Sequence, residues 1–313
     1  MRLGSIPAAA GILAASLLLA GCATPQVAAL LAQPPATLPP RAELAAVPFY
    51  PQEDYQCGPA ALATTLVHAG AAVTPEALVP QVYLPGRKGS LQAEMLAATR
   101  RNGLMAYVIA PRLGDLLEEV AAGHPVVVLQ NLSFGLAPTW HYAVIVGYDL
   151  PREEIILRSG TTHRLTTPLA AFERTWARGD HWAMLTLRPE RLPATAKEDR
   201  YIASATALER VAPAAAQRAY TTALERWPEN LTARLGLGNA AYAQRDLKAA
   251  ESAYREAARR HPEAADAWNN LAQALLELGR RDEALAAAQR AVDIGGPRLA
   301  RYQATLQAIA NSR

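Results

Sequence analysis

Cys57 and His141 are the residues whose types and positions predict chemistry in this chain. The sequence of 313 residues contains two cysteines and six histidines. Cys57 follows an extended segment marked by Pro51 and stands two residues before Pro59, which suits the first turn of a helix. At a helix N-terminus the macrodipole and the unpaired amides stabilise an anion. We therefore expect a lowered thiol pKa for Cys57 and predict that it is a thiolate nucleophile.

His141 is the histidine best placed to serve as a base for this thiol. A thiolate that attacks an acyl carbon needs a base within hydrogen-bond reach, a group that orients the base, and donors for the oxyanion. His141 opens an apolar strand in which an imidazole is not needed for packing, whereas His68 lies about three turns from Cys57 on the same predicted helix. A histidine at a strand start is more often structural when it stands alone, but the Cys–Gly pair at a helix start favours a catalytic role. The remaining histidines are His124, His163, His181 and His261.

The N-terminus has the pattern of a secretory signal over residues 1–21. Arg2 provides a positive charge, and an apolar run of about fifteen residues follows, which is too short to span a bilayer comfortably. The run ends in Leu19-Ala20-Gly21-Cys22, which resembles the bacterial lipoprotein box. The alternative is an ordinary signal peptide followed by an incidental cysteine.

The resemblance to the lipoprotein box implies how the mature chain is held. It implies cleavage before Cys22, a diacylglyceryl thioether on its sulfur and an N-acyl group, which together anchor a protein without a transmembrane helix. Ala23, rather than Asp, at the next position favours the outer membrane of a Gram-negative cell envelope, with the chain facing the periplasm. Lipidation of Cys22 leaves Cys57 as the remaining thiol. An unpaired cysteine in an oxidising compartment is either buried and inert or catalytic.

The elements that must position Cys57 and His141 are predicted from turn signals and apolar runs. Residues 22–46 are rich in Pro and Ala and predict a spacer between membrane and domain. In the segment 47–190 helices come first and apolar strands follow, an order that favours an α+β domain. The predicted helices cover 57–69, the segment after Thr74-Pro75, 90–102 with Ser90 as N-cap, 113–122, and a short stretch with Phe172 and Trp176. The predicted strands cover 104–110, 125–129, 141–148, 155–158 and 181–187.

A repeat of 34 residues predicts an all-α domain over 197–313, after a charge-rich boundary at 189–200. Trp227-Pro228 and His261-Pro262 are separated by that spacing, as are Tyr220 and Tyr254. The pattern resembles the tetratricopeptide repeat, in which small residues let paired helices cross closely and an aromatic side chain fills the gap. The resemblance implies three repeats (197–230, 231–264 and 265–298), a capping helix from Pro297, and a concave surface for a protein partner. The alternative is a plain bundle of helical hairpins.

Three blocks of the domain at 47–190 resemble the C39-type, papain-like cysteine peptidases. The blocks stand in the family's order and are Pro51-Gln52-Glu53-Asp54-Tyr55-Gln56-Cys57-Gly58-Pro59-Ala60-Ala61-Leu62, Gly123–Val128 and His141–Tyr148. The resemblance implies Cys57 as nucleophile, His141 as general base and Gln52 as an oxyanion donor, with Gln56 a weaker candidate for that donor. A lipoprotein with such a domain followed by tetratricopeptide repeats is similar to a known bacterial subgroup. The resemblance thus implies an anchored enzyme that hydrolyses a peptide or protein substrate.

Ser159 is the position at which the sequence departs from this family. Members usually carry Asp-Pro on the strand after the His strand, and Ser159 takes the place of that Asp. A serine can accept a hydrogen bond from imidazole, but it brings no charge. Loss of the triad carboxylate lowers kcat by about 10⁴ in a serine protease, and a Cys–His pair depends on it less. Asp149 is no substitute, because it lies roughly 25 Å from His141 in extended geometry.

The departure at Ser159 leaves three functions open. The first is a thiol peptidase, or a related amidase or acyltransferase, that uses Cys57 and His141. The second is a catalytically weakened, peptidase-like module that holds a peptide, with the repeats as a scaffold. The third is a structural envelope lipoprotein in which Cys57 is incidental.

Composition and spacing argue against other classes of function. The formal net charge is +3, and no run of basic residues with interleaved aromatics is present, so we predict no nucleic-acid partner. The histidines lack the HxxxH spacing of many metal sites. We predict no metal and no cofactor.

Overall fold

An antiparallel sheet forms the centre of the domain that holds Cys57 and His141. The computed structural model describes residues 24–52, 56–133 and 137–312, so the predicted signal peptide and Cys22 lie outside the described residues. The strands are β1 (Arg41–Glu43), β2 (Tyr83–Leu84), β3 (Gly89–Ser90), β4 (Met105–Val108), β5 (Val126–Asn131), β6 (Trp140–Asp149), β7 (Glu154–Ser159), β8 (Thr162–Pro168) and β9 (Ala183–Leu187). Seven of them pair in the order β4-β9-β5-β6-β7-β8 with β1 also on β6, while β2 and β3 form a separate ribbon.

Six helices accompany the sheet, and seven more follow it in the described residues. The first six are α1 (Pro25–Ala32), α2 (Cys57–His68), α3 (Pro75–Val82), α4 (Gln92–Arg101), α5 (Leu113–Ala121) and α6 (Leu169–Ala177). The others are α7 (Glu198–Thr206), α8 (Pro213–Arg226), α9 (Leu231–Ala243), α10 (Leu247–Arg260), α11 (Ala265–Glu277), α12 (Arg281–Ile294) and α13 (Leu299–Asn311). None of these described helices combines the length and apolar character needed to cross a membrane.

Helices cover both faces of the sheet, which explains why its central strands carry apolar side chains on both faces. Every residue of β5 is buried, and successive side chains point to opposite faces. Val127 lies in a hydrophobic cluster with Leu62 of α2. Val128 lies in a second cluster with Leu116 of α5 and Phe172 of α6. The architecture is α+β, as predicted.

The segment before Val47 is part of the domain, and its prediction as a spacer is wrong over the described residues. Val27 and Leu30 of α1 are buried in the cluster that contains α5 and α6. The Glu173 carboxylate accepts hydrogen bonds from the main-chain N–H groups of Gln26 (3.0 Å) and Val27 (2.7 Å), at the start of α1. The next element, β1, pairs with β6. Pro and Ala suit a spacer and a short docked helix equally well, so composition alone did not distinguish the two.

Most predicted elements occur near their expected bounds, and the misses have physical causes. The helix that starts at Cys57 is confirmed. Ser90 is not a helix cap, because it lies in β3 and α4 begins at Gln92 after Leu91. Strand β8 was not predicted, because its residues are largely exposed and lack the apolar run that indicates a buried strand.

The C-terminal helices pack as the repeat pattern predicts, with tyrosines against glycines. A Cβ atom at Gly236 would lie 2.2 Å from the Tyr220 ring, and one at Gly238 would lie 2.4 Å from the Tyr254 ring. Each tyrosine therefore occupies the space that a side chain on α9 would fill. The two tyrosines are separated by the repeat length, which explains that part of the periodicity.

A buried carboxylate fixes the segment between the sheet domain and the repeats. Glu119 of α5 is fully buried and accepts hydrogen bonds from the N–H groups of Ala194 (3.1 Å) and Thr195 (2.7 Å), and from the Thr195 hydroxyl (2.7 Å). His124 Nδ1 lies 2.8 Å from the same carboxylate. Tyr201 of α7 belongs to the hydrophobic cluster of α5. The first repeat helix thus packs on the sheet domain and shares its core.

Adjacent leucines of α1 provide a test of its docking. Leu30 is 6% exposed and Leu31 is 37% exposed. We expect Leu30→Ala to lower the free energy of unfolding by about 2–4 kcal/mol, because a buried leucine leaves a cavity. Leu31→Ala should change it by about 0.5 kcal/mol or less. Urea denaturation of the two variants measures the difference, and equal values would indicate that α1 is not docked.

Candidate active site

Cys57 is the first residue of α2, and its main-chain amide precedes the helical hydrogen bonds. The Ala60 N–H donates to the Gln56 C=O (3.2 Å), and Pro59 has no N–H to place. The N–H groups of Cys57 and Gly58 thus remain at the helix start, where they can serve a ligand or the sulfur. This local arrangement follows from the Cys-Gly-Pro sequence itself.

Gly58 allows β3 to lie directly against the first turn of α2. A Cβ atom at Gly58 would lie 2.2 Å from Ser90 Oγ and 2.6 Å from Ser90 Cβ, so a side chain there would displace β3. The Tyr142 hydroxyl donates to the Ser90 C=O (3.3 Å) and ties β3 to β6. The contact brings Ser90 to the site, and no local pattern in the sequence could have indicated it.

The start of β6 and the end of β7 meet in the sheet, and this places His141 beside Ser159. The two strands are antiparallel neighbours, and His141 Nε2 lies 2.8 Å from Ser159 Oγ. In the tautomer with its proton on Nε2, His141 donates to Ser159 and keeps a lone pair on Nδ1, as a general base requires. The structure therefore brings together the predicted base and the predicted orienting residue.

The Cys57 sulfur lies against the main chain of β6, directly after His141. Burial raises the pKa of the Cys57 thiol, and the main-chain N–H groups of Tyr142, Gly58 and Cys57 itself offset only part of that effect. The expected lowering of this pKa is therefore wrong. The amides stand at the helix start as predicted, but the same helix start is buried against the sheet.

Burial also shifts the pKa of His141, in the direction opposite to that of Cys57. Burial lowers the pKa of its imidazole, because the charged form loses hydration. The lowered pKa keeps His141 neutral at pH 7, in the form that accepts a proton, while the raised pKa keeps Cys57 as a thiol. The resting pair is thus neutral, and transfer of the proton from sulfur to imidazole would accompany attack on a substrate.

Gln52 is fixed by two hydrogen bonds to Gly160, the residue after Ser159. Its main-chain N–H donates to the Gly160 C=O (3.1 Å), and its side-chain Oε1 accepts from the Gly160 N–H (3.2 Å). Because Oε1 is held, Nε2 is the end of the side chain left to donate to a ligand. The left-handed backbone of Gly160 (φ 57°) suits glycine. Gln56 precedes α2, and its side chain makes no capping hydrogen bond there.

Cys57, His141 and Gln52 line one cavity with a volume of about 950 Å³, which is typical of ligand sites. The turn between β2 and β3 forms one wall, with Arg87 and Lys88. The residue before His141, Trp140, lines the cavity and remains exposed. Three of the site residues predicted from sequence thus line a cavity large enough for part of a peptide.

Asp180, which lines the cavity, and His181 after it both have a left-handed backbone. Asp180 and His181 have φ angles of 55° and 51°, a conformation that costs on the order of 1 kcal/mol or more for each residue. The His181 N–H donates to the Trp176 C=O (3.1 Å), and the two rings lie edge to face with centroids 4.7 Å apart. These contacts hold Asp180 at the cavity. Asp180 was not predicted from the sequence, because no spacing rule reveals such a turn.

Asp149 and His68, which the sequence excluded as partners of His141 and Cys57, have other contacts. Asp149 pairs with Arg41 (3.0 Å) at the opposite end of β6 from His141. His68 Nε2 lies 3.1 Å from the Gly123 carbonyl oxygen. Within the described parts of the chain, no group of three or more His, Cys, Asp or Glu side chains could hold a metal ion.

Two family models match the chain, and together they cover both regions. Residues 44–183 match the family described as Peptidase_C39 like. Residues 206–258 and 239–298 match the tetratricopeptide repeat, a module for protein–protein interaction. The chain carries a C39-like peptidase domain followed by tetratricopeptide repeats. The C39-like domain contains Cys57 and His141, and the two predicted resemblances are confirmed at the level of domain family.

Solved structures align with separate parts of the chain. A structure reported as a C39-like peptidase from Bacillus anthracis is 18% identical and covers 47% of this chain and 97% of its own, with a TM-score of 0.39. MamA is 18% identical over 37% of this chain and 75% of its own, with a TM-score of 0.31. A mutant O-GlcNAc transferase from Thermobaculum terrenum is 21% identical over 37% of this chain and 23% of its own, with a TM-score of 0.33. No curated protein matches this chain significantly.

The neutral Cys57–His141 pair predicts how alkylation depends on pH. We expect iodoacetamide to modify Cys57 with an apparent pKa above the ordinary thiol value of about 8.5, because burial disfavours the thiolate. Mass spectrometry of the adduct at each pH, on protein without residues 1–22, gives this value. An apparent pKa below about 7 would instead indicate a preformed thiolate–imidazolium pair. In that case His141→Ala, but not His68→Ala, should raise it.

Ser159 variants test whether this position controls the charge on His141. Ser159→Asp should raise the pKa of His141 by at least about one, because an opposite charge within a few Å commonly shifts a pKa by 1–3. Ser159→Asn has nearly the size of Asp without its charge and should leave the pKa close to that of the wild type. NMR titration of the imidazole measures all three proteins. Equal pKa values for Asp and Asn would show that residue 159 does not act on His141.

Proposed function

We propose that this protein is a lipid-anchored thiol peptidase of the bacterial envelope, with Cys57 as nucleophile and His141 as general base. The observation that carries the proposal is that His141 lines the same cavity as Cys57 while its Nε2 is held by Ser159 Oγ. This contact leaves Nδ1 to take the thiol proton. The C39-like family of the domain supports the same assignment.

The proposed reaction uses only groups of the chain and water. As His141 takes the thiol proton, the Cys57 sulfur attacks the peptide carbonyl carbon and a C–S bond forms. The Cys57 N–H and the Gln52 Nε2 amide would donate to the oxyanion. Collapse breaks the C–N bond, and His141 returns its proton to the leaving amine. A water molecule, deprotonated by His141, then hydrolyses the thioester and restores the thiol.

Cys22 and the repeats give this activity its proposed setting. Acylation of Cys22 would hold the chain at the outer membrane, facing the periplasm, as the lipoprotein-like segment favours. The tetratricopeptide repeats would recruit a protein substrate or partner. Because the first repeat helix shares a core with the sheet domain, a bound partner would have a defined position relative to the cavity.

A peptide-binding module without turnover is the second candidate. Ser159 supplies no negative charge to His141, and burial raises the pKa of Cys57, so both observations favour a slow enzyme or none. Such a module would use the same cavity and the same repeats to hold a peptide.

Two glutamines close to Cys57 provide a matched test of the peptidase. Cys57→Ala should abolish hydrolysis of a peptide library, because no nucleophile remains. Gln52→Ala should lower kcat by about 10²-fold, as loss of one oxyanion donor does in other hydrolases. Gln56→Ala removes the same side chain next to the cysteine and should change kcat by only a few fold, since it makes no capping hydrogen bond. Library peptides that bind the wild type and Cys57→Ala equally, without any cleavage, would instead support the binding module.

A further inference from the structure

The cavity lies at one end of the sheet, where β5 stops at Asn131 and β6 begins at Trp140. We call this the cleft end of the sheet. Asn131 and Trp140 pair with each other there, and His141 is the next residue of β6. The opposite end of β6 carries Asp149 and its ion pair with Arg41. The two ends of β6 thus differ, with the cavity at one end and the ion pair at the other.

The chain segment after β4 also reaches the cleft end. β4 and β5 run in the same direction, because both are antiparallel neighbours of β9. Val108 and Val127 are level with each other, since both pair with Met184. Pro111 is three residues beyond Val108, and Gln130 is three residues beyond Val127. Because Gln130 pairs with His141, Pro111 lies at about the level of the cavity.

Helix α1 begins at this end and is held there by its first residues. The Gln26 side chain donates from Nε2 to the Pro111 C=O (3.2 Å) and accepts at Oε1 from the Leu113 N–H (2.6 Å). The Glu173 carboxylate accepts from the N–H groups of Gln26 and Val27. The start of α1 is thus fixed to the face of the sheet that α5 and α6 cover, close to the cleft end.

The distance from this fixed point to the proposed lipid is short. Cys22 stands four positions before Gln26, and the chain between them spans at most about 14 Å when fully extended. A spacer over residues 22–46 would have allowed a separation of roughly 80 Å between the lipid and the folded domain. Acylated Cys22 lies at the level of the lipid headgroups, so the start of α1 cannot move far from the membrane surface.

The cleft end also carries exposed apolar side chains. Trp140 is 53% exposed and Leu132 is 50% exposed, and they are two of the four large hydrophobic residues exposed in the described part of the chain. The Leu132 N–H donates to the Thr139 C=O (2.9 Å), which holds the two residues at the same end of β5 and β6. Tryptophan is enriched where proteins meet lipid headgroups, because its ring is apolar and its N–H is polar.

We propose that the cleft end faces the membrane that anchors the chain, with Trp140 and Leu132 in the headgroup region. This orientation rests on the proposed lipidation of Cys22. Its partner is the bilayer surface, and its consequence concerns the substrate. A peptide that enters the cavity must come from a protein that is itself bound to the membrane or held within a few tens of Å of it.

The orientation can be measured with the acylated full-length protein in vesicles of phosphatidylethanolamine and phosphatidylglycerol with brominated acyl chains. Bromine quenches tryptophans that lie at the lipid surface, and we expect Trp140→Phe to remove more than half of the quenched emission. Trp268→Phe, in the repeats, should leave the quenched emission unchanged. A flexible Gly/Ser insertion of about 20 residues between Ala23 and Thr24 has a root-mean-square span of roughly 25 Å. It should keep the protein on the vesicles and reduce the quenching at least twofold.

Each contrary result identifies a different failure. If the wild type and Cys22→Ser partition equally into the soluble fraction, the anchor and the orientation are both overturned. The proposed hydrolysis by Cys57 is unaffected by that result, because it is measured separately. If the protein is anchored but Trp140→Phe or the insertion leaves the quenching unchanged, only the orientation is overturned. If added peptide, and not lipid, changes the Trp140 emission, the surface binds substrate instead. If the Trp140 emission depends on protein density and lipid does not quench it, the surface binds a second copy of the chain.

Discussion

The contact between the first turn of α2 and the start of β6 is the interaction on which the site depends. It places the Cys57 sulfur beside the Tyr142 amide, next to His141. Gly58, in the same turn, has no side chain and leaves room for Ser90 of β3. The contact also partly buries the thiol and the imidazole, so it opposes charge on both groups. The same packing that assembles the two groups therefore sets their protonation states.

The neighbouring strand supplies the other two components of the site from successive positions. Ser159 meets His141, and Gly160 holds Gln52 through both its C=O and its N–H. The orientation of the base and the orientation of the oxyanion donor thus depend on one turn between β7 and β8. Any change in the register of β7 would displace both groups together, which makes this turn as important to the site as the helix start.

The sequence allowed the site to be predicted where local chemistry determines position. A Cys-Gly-Pro at a helix start and a histidine at the head of an apolar strand are local features, and the resemblance to the C39-type peptidases indicated Ser159 as the partner of His141. The pKa of Cys57 was not predictable, because it depends on burial against β6, a strand far away in sequence. The docking of α1 depends on Glu173, a distant partner that composition does not reveal. Ser90 was wrongly predicted to be a helix cap, because its place in β3 goes with a contact to Gly58, which is distant in sequence.

The carboxylate of Glu119 has a consequence for how this chain can be divided. It receives its hydrogen bonds from Ala194 and Thr195, beyond the last strand, and Tyr201 fills space in the same core. A recombinant fragment that ends after β9 would keep the buried carboxyl group of Glu119 without its donors on Ala194 and Thr195, and it would expose an apolar surface to water. The regions that the two family models match therefore form a single physical unit, and the smallest soluble fragment with the cavity must extend into the first repeat.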